Sequence, residues 1–251
     1  MAAMQTALAR SIHRVSAGGR YFYTEFQLYY ELCRTVRPFL KYLSAIPFAL
    51  PRPIDYFEFS EILKRHVTYN GKPAGLLTEP VSWVRGFIGR EPDLADYGLT
   101  RLLVCTDPHI ATMLIANHMH MELGCAILSM SDALPLPDMI CAMLARAADS
   151  QVYVLHDSDL HGIMLFRHAR VRLQLPEPVT ALEVGLRPFQ CLKMHLFFHR
   201  TDSWAHDEIP VPSDCTVFEK AWMKAGLKTE IACIPPVALF RLLRRRLISG
   251  R

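Results

Sequence analysis

The sequence lacks a Cys-x-x-Cys pair, a long apolar run, a Gly-rich phosphate loop and any internal repeat, and each absence removes a class of function. Its seven cysteines, at positions 33, 105, 125, 141, 191, 215 and 233, are scattered and odd in number. Without paired spacing they exclude a zinc site and a disulfide framework, and they predict buried free thiols in a reducing compartment. The best membrane candidate, FLKYLSAIPFALP at 39–51, is too short to span a bilayer and carries Lys41 and two prolines. The opening MAAMQTALARSIHRVSAGGR has basic residues without the sustained apolar centre of a secretory leader. A cytoplasmic chain with no membrane partner is expected. With no GxxxxGK[ST] pattern, ATP would have to be handled by another subunit.

What is present is a globular composition. Of 251 residues, 51% are hydrophobic and 21% charged, enough for one large domain or two small ones with a real core. The formal net charge of +4 permits contact with nucleic acid without demanding it. The charge is concentrated at the end, where RLLRRRLISGR (241–251) has five arginines. Either a solvated helix face or a phosphate-contacting tail accounts for them.

Two textures follow one another. A helical opening (about 3–15) meets a break at Gly18-Gly19. TEFQLYYELCRTV (24–36) then reads as a helix, with Thr24 in the cap position and Phe26, Leu28, Tyr29, Leu32 and Val36 recurring at helical spacing. PFALPRPIDY is a proline-rich turn region, and DYFEFSEILKRHV (55–67) is a second amphipathic helix. TYNGKPAGLL (68–77) carries Asn-Gly and predicts a hairpin. From about residue 99, short apolar runs at 100–106, 125–130, 151–157 and 179–185 alternate with helical stretches at 109–123, 136–148 and 161–173. That alternation predicts a parallel sheet covered on both faces.

Functional groups in such sheets collect at the carboxyl ends of the strands. The first run ends at Cys105-Thr106-Asp107 and the third at Asp157-Ser158-Asp159. Carboxylates two residues apart on an extended segment point the same way. With a third oxygen they suit Mg²⁺, which prefers hard ligands. The alternative is that Asp159 caps the following helix. His156 and His161 flank the acids without ligand spacing to another histidine, and are read as loop histidines.

The segment HDSDLHGIMLF resembles the Asp-x-Asp element of the TOPRIM domain, in the version found in the type IIB topoisomerase VI A subunit and its relative, the meiotic double-strand-break protein. Asp157, Asp159, His161, Gly162 and Ile163 match, and Leu160 replaces a proline. Upstream, FQLYYELCR resembles the motif carrying that family's DNA-cleaving tyrosine, with Gln27, Leu28, Tyr29 and Tyr30 matching. VGLRPFQ (184–190) and KTEIACIPPVALFRLL (228–243) also resemble pieces that follow the TOPRIM core, so the likeness covers about residues 20–245. Two departures from the family matter. The arginine before the Tyr-Tyr pair is Phe26, and the glutamate ending the first TOPRIM strand is Cys105 or Thr106, with Asp107 next in line.

The resemblance implies an α/β chain, with a mostly helical winged-helix-like DNA-binding module at 1–95 and a TOPRIM-like domain with a central parallel sheet at 96–251. It implies Tyr30 as nucleophile and Asp157, Asp159 and Asp107 as Mg²⁺ ligands. It also implies DNA as partner, a homodimer, a separate ATPase subunit and, in a prokaryote, association with the nucleoid. Lys64, Arg65, Lys72 and Arg85 around the wing are the candidate phosphate contacts. Three functions are expected from this pattern. The first is DNA cleavage by tyrosine transesterification. The second is a degenerate relative that binds DNA or serves assembly, favoured by the two lost residues. The third is a metal-dependent phosphohydrolase with Asp157 as nucleophile.

Overall fold

In the computed structural model, which describes residues 2–37, 47–81, 98–201 and 211–248, the chain is mixed α/β with parallel sheets. Helix α1 (Ala2–Val15) is followed by β1 (Tyr23–Thr24) and α2 (Glu25–Val36). A capping box starts α2: Gln27 N–H donates to Thr24 Oγ1 at 3.1 Å and Thr24 N–H donates to Gln27 Oε1 at 3.0 Å. After β2 (Leu50–Pro51) comes α3 (Tyr56–Asn70), whose start is fixed by Asp55 accepting from Phe57 N–H at 2.7 Å. The Asn-Gly pair does not turn a hairpin. Asn70 is still helical, Gly71 at φ 80° ends the helix, and β3 (Leu76–Leu77) pairs parallel with β1. The left-handed freedom of Gly71 serves as a helix stop.

The next stretch alternates as expected. β4 (Arg101–Cys105), α4 (Pro108–Ala116), α5 (Met119–Leu123), β5 (Ala126–Ser129), α6 (Asp138–Arg146), β6 (Gln151–Leu155), α7 (Leu160–Arg167), α8 (Ala169–Arg172) and β7 (Thr180–Glu183) follow in order. Two long helices expected from the sequence are each broken in two. His118, at φ 58°, separates α4 from α5, and His168 separates α7 from α8. The chain closes with α9 (Pro188–Lys193), β8 (Phe197–Arg200), α10 (Val217–Lys224), β9 (Leu227–Lys228), a 3₁₀ turn (Ile231–Cys233) and α11 (Pro236–Leu247).

These elements form two compact units. One comprises Met1–Thr78, Ser158–Leu160 and Leu186–Arg241; the other comprises Glu79–Asp157, His161–Gly185 and Leu242–Arg251. The first contains β2-β8-β9, and Ser158 adds an antiparallel bridge to Thr229. Its helix α2 buries Leu28, Tyr29, Tyr30, Leu32 and Cys33.

The second unit is built on a four-stranded, all-parallel sheet in the order β5-β4-β6-β7. Its core includes Leu102, Val104, Leu128, Val152, Val154, Leu165, Ala169 and Leu173. Each large aliphatic side chain among them contributes roughly 1.5–3 kcal/mol by leaving water. In β4, β5 and β6, burial on both faces explains why the strands read as continuous apolar runs instead of alternating ones. No helix of the described residues is long and apolar enough to cross a membrane.

Candidate functional site

The sheet order fixes where the second unit can hold a polar site. The chain runs from β4 to β5 on one side, then returns past β4 to β6 on the other. The direction of winding therefore reverses between β4 and β6, and the crevice outside their carboxyl ends is where parallel sheets accept ligands. The two strands are in register there, with Cys105 opposite Leu155. Asp107 and Asp157 each lie two residues beyond.

Asp107 caps α4, accepting from His109 N–H at 2.8 Å. Burial raises its carboxyl above the usual range, and the charge of Asp157 raises it further, against the lowering effect of that cap. The structure thus brings together a half-buried carboxylate and a like-charged neighbour, an arrangement a cation relieves.

His156, read from sequence as a loop histidine, is fully buried at this edge. Its Nδ1–H donates to the carbonyl of Asp157 at 2.8 Å, and its Nε2 lies 2.9 Å from Glu183 Oε1. A carbonyl only accepts, so Nδ1 carries the hydrogen in its bond to Asp157. Gly185 lies against the imidazole so closely that a Cβ there would fall 2.2 Å from the ring. His161, by contrast, is exposed.

The first unit contains Tyr30 and Asp159. Tyr30 is fully buried, stacked near-parallel on Phe197 with centroids 6.5 Å apart, and its hydroxyl donates to Glu230 Oε2 at 2.8 Å. Burial, then the Glu230 carboxylate, hold its pKa well above the ordinary value. Glu230 Oε1 lies 3.9 Å from His199 Nε2, and Asp159 pairs with Lys228 at 3.5 Å. Burial, then the charges of Arg52 and Lys228, push the His199 imidazole down to about 4, so it is neutral near pH 7. Phe26, at the position of the family arginine, stacks on Tyr56 at 4.6 Å and 11°. Ser158 Oγ and Thr229 Oγ1 are buried without a hydrogen-bond partner among the described residues.

Among the candidate phosphate contacts, Lys64, Arg65 and Lys72 are exposed on or just past α3, with Lys64 also 2.9 Å from Glu61. Arg85 lies outside the described residues, as do positions 39–46 of the apolar stretch. All seven cysteines are free, and every one but Cys141 is buried.

For a metal, Asp107 and Asp157 offer two hard oxygen ligands. That suits Mg²⁺, which is commonly held by one or two carboxylates plus substrate phosphates and water. Among the described residues no group of three or more His, Cys, Asp or Glu side chains is arranged to hold an ion. Reading the sequence alone missed His156, Glu183, Gly185, His199 and Glu230. Only Gly185, an isolated glycine just past a strand, carried a local signal of close approach. Compared with protein-family models, curated proteins and solved structures, the chain matches none.

Proposed function

We propose that the chain is a DNA-processing protein of the topoisomerase VI A type, with a winged-helix-like module and a TOPRIM-like domain, that cleaves a DNA strand by tyrosine transesterification. The observation that carries this reading is the acidic pair Asp107 and Asp157 at the reversal point of a parallel sheet. Asp107 and Asp157 would hold Mg²⁺, with remaining positions taken by water and a DNA phosphate. When bound, Mg²⁺ would neutralise charge developing on the phosphodiester oxygens. Tyr30 is the nucleophile: its oxygen bonds to phosphorus, the bond from phosphorus to the deoxyribose oxygen breaks, and that oxygen takes a proton. Glu230, already accepting from the Tyr30 hydroxyl, is placed to receive the proton that Tyr30 loses. Because Tyr30 is buried, its neighbours must part before a phosphodiester reaches it. One tyrosine cuts one strand, so a double-strand break calls for a homodimer, and strand passage calls for a separate ATPase subunit.

A second reading has its own support. Tyr30 is fully buried and Phe26 stacks on Tyr56, which suits a relative that binds DNA or serves assembly without cutting it. Supercoiled plasmid with Mg²⁺ or Mn²⁺, with a candidate ATPase subunit added, separates the two. Protein-linked breaks that vanish in Tyr30→Phe and in Asp157→Ala support cleavage. A mobility shift without breaks supports the binding role.

A further inference from the structure

We propose that His156 is a positioning residue for Asp157, locked in place by Glu183 and by the absence of a side chain at Gly185. This rests on the reading of Asp107 and Asp157 as a metal pair. The backbone explains the need. The sheet of the second unit makes its last ladder bonds at the end of β6 through Thr106 N–H to the Leu155 carbonyl at 2.9 Å and Val184 N–H to the Val154 carbonyl at 3.0 Å. Asp157 lies beyond both. There the imidazole holds the Asp157 carbonyl, with Nδ1–H bonded to it at 2.8 Å, while the N–H of the next residue, Ser158, donates to the Thr229 carbonyl at 2.8 Å.

The ring itself is fixed from three sides. Glu183, at the end of β7, holds Nε2 at 2.9 Å. Phe166 lies near-parallel to it, with centroids 6.3 Å apart. Gly185 closes the remaining approach: a Cβ there would lie 2.2 Å from Cδ2 and 2.4 Å from both Cγ and Nε2. An alanine at 185 therefore pushes the ring at the atom that bonds Glu183. The displacement passes through Nδ1 to the peptide from which the Asp157 carboxylate extends. Metal sites tolerate little such movement, and loss of an outer-shell partner commonly weakens affinity by about 10–100-fold.

The test is Mn²⁺ binding to the full chain, by electron paramagnetic resonance or calorimetry, with circular dichroism confirming that each variant is folded. Wild type is expected to bind Mn²⁺, with affinity lost in Asp157→Ala. Gly185→Ala and His156→Ala are expected to bind about tenfold or more weakly. Glu183→Gln is expected to stay close to wild type, and His156→Asn, which loses the Glu183 lock, to fall between wild type and His156→Ala. His156→Asn keeps an N–H where Nδ1 donates, and Glu183→Gln keeps a hydrogen-bonding group at Nε2. If wild type binds Mn²⁺ and Gly185→Ala and His156→Ala bind equally well, the positioning role is overturned while the metal pair stands. If both conservative variants lose affinity as far as His156→Ala does, the effect is one of charge and the positioning role is overturned. If wild type fails to bind, the metal reading falls and the inference with it.

Discussion

The hydroxyl of Tyr30 and the carboxylate of Glu230, 200 residues apart in sequence, share a hydrogen bond of 2.8 Å. Removing the hydroxyl leaves a half-buried carboxylate short of a donor. Tyr30→Phe is expected to cost about 1–2 kcal/mol in urea unfolding and to abolish any protein-linked DNA break. Glu230→Gln keeps an acceptor for the hydroxyl but removes the charge. Spectrophotometric titration is expected to show Tyr30 and, less strongly, Tyr56 ionising at lower pH in that variant than in wild type, though still above the ordinary range because burial persists. An unchanged titration would mean that Glu230 does not act on Tyr30.

Asp107 combines a useful cap with an unfavourable charge. Its pKa is raised on folding, so the native state binds its proton more tightly than the unfolded chain does. Stability from this group is present at low pH and is lost as pH rises through the carboxylate range. Asp107→Asn keeps a good capping side chain and removes the charge. It is expected to raise Tm at pH 7 while weakening Mn²⁺ binding about tenfold or more. A fall in Tm would show that the cap depends on the carboxylate.

His199 has the opposite sign. With a folded value of about 4, it is neutral in the native state where the unfolded side chain, near 6.5, already binds a proton. Its contribution is therefore present above about pH 6.5 and is lost as pH falls toward 4. We expect roughly 1–2 kcal/mol over that window, after allowance for solvent screening. Urea unfolding at a series of pH values checks this, and His199→Gln should flatten the profile between pH 6.5 and 4. A profile identical to wild type would remove His199 from the account.

Lys64, Arg65 and Lys72 are all exposed along α3 and just past its end. If they bind phosphates, replacing all three by alanine weakens DNA binding uniformly across sequences. The slope of log affinity against log salt should become shallower by about 0.9 for each phosphate that is no longer neutralised. An unchanged slope would move the DNA-binding surface elsewhere.

Much of the local structure was legible because it depends on neighbours in sequence. Thr24 and Gln27 form a capping box three residues apart, so the start of α2 could be read directly. The apolar runs at β4, β5 and β6 announced a covered parallel sheet because both faces of such strands are buried. The Asn-Gly pair at 70–71 misled because glycine ends a helix as readily as it turns a hairpin, and only the pairing of β3 with β1 distinguishes these.

The sequence by itself determined the helix starts, the parallel sheet and the placing of Asp107 and Asp157 at strand ends, since capping chemistry and hydrophobic periodicity act over a few residues. Tertiary structure decided the partners. Only folding sets His156 against Glu183 and Gly185, Tyr30 on Glu230 and Asp159 on Lys228. Those pairs join residues far apart along the chain, and no local pattern encodes a hydrogen bond whose two ends are brought together by strand order and helix packing.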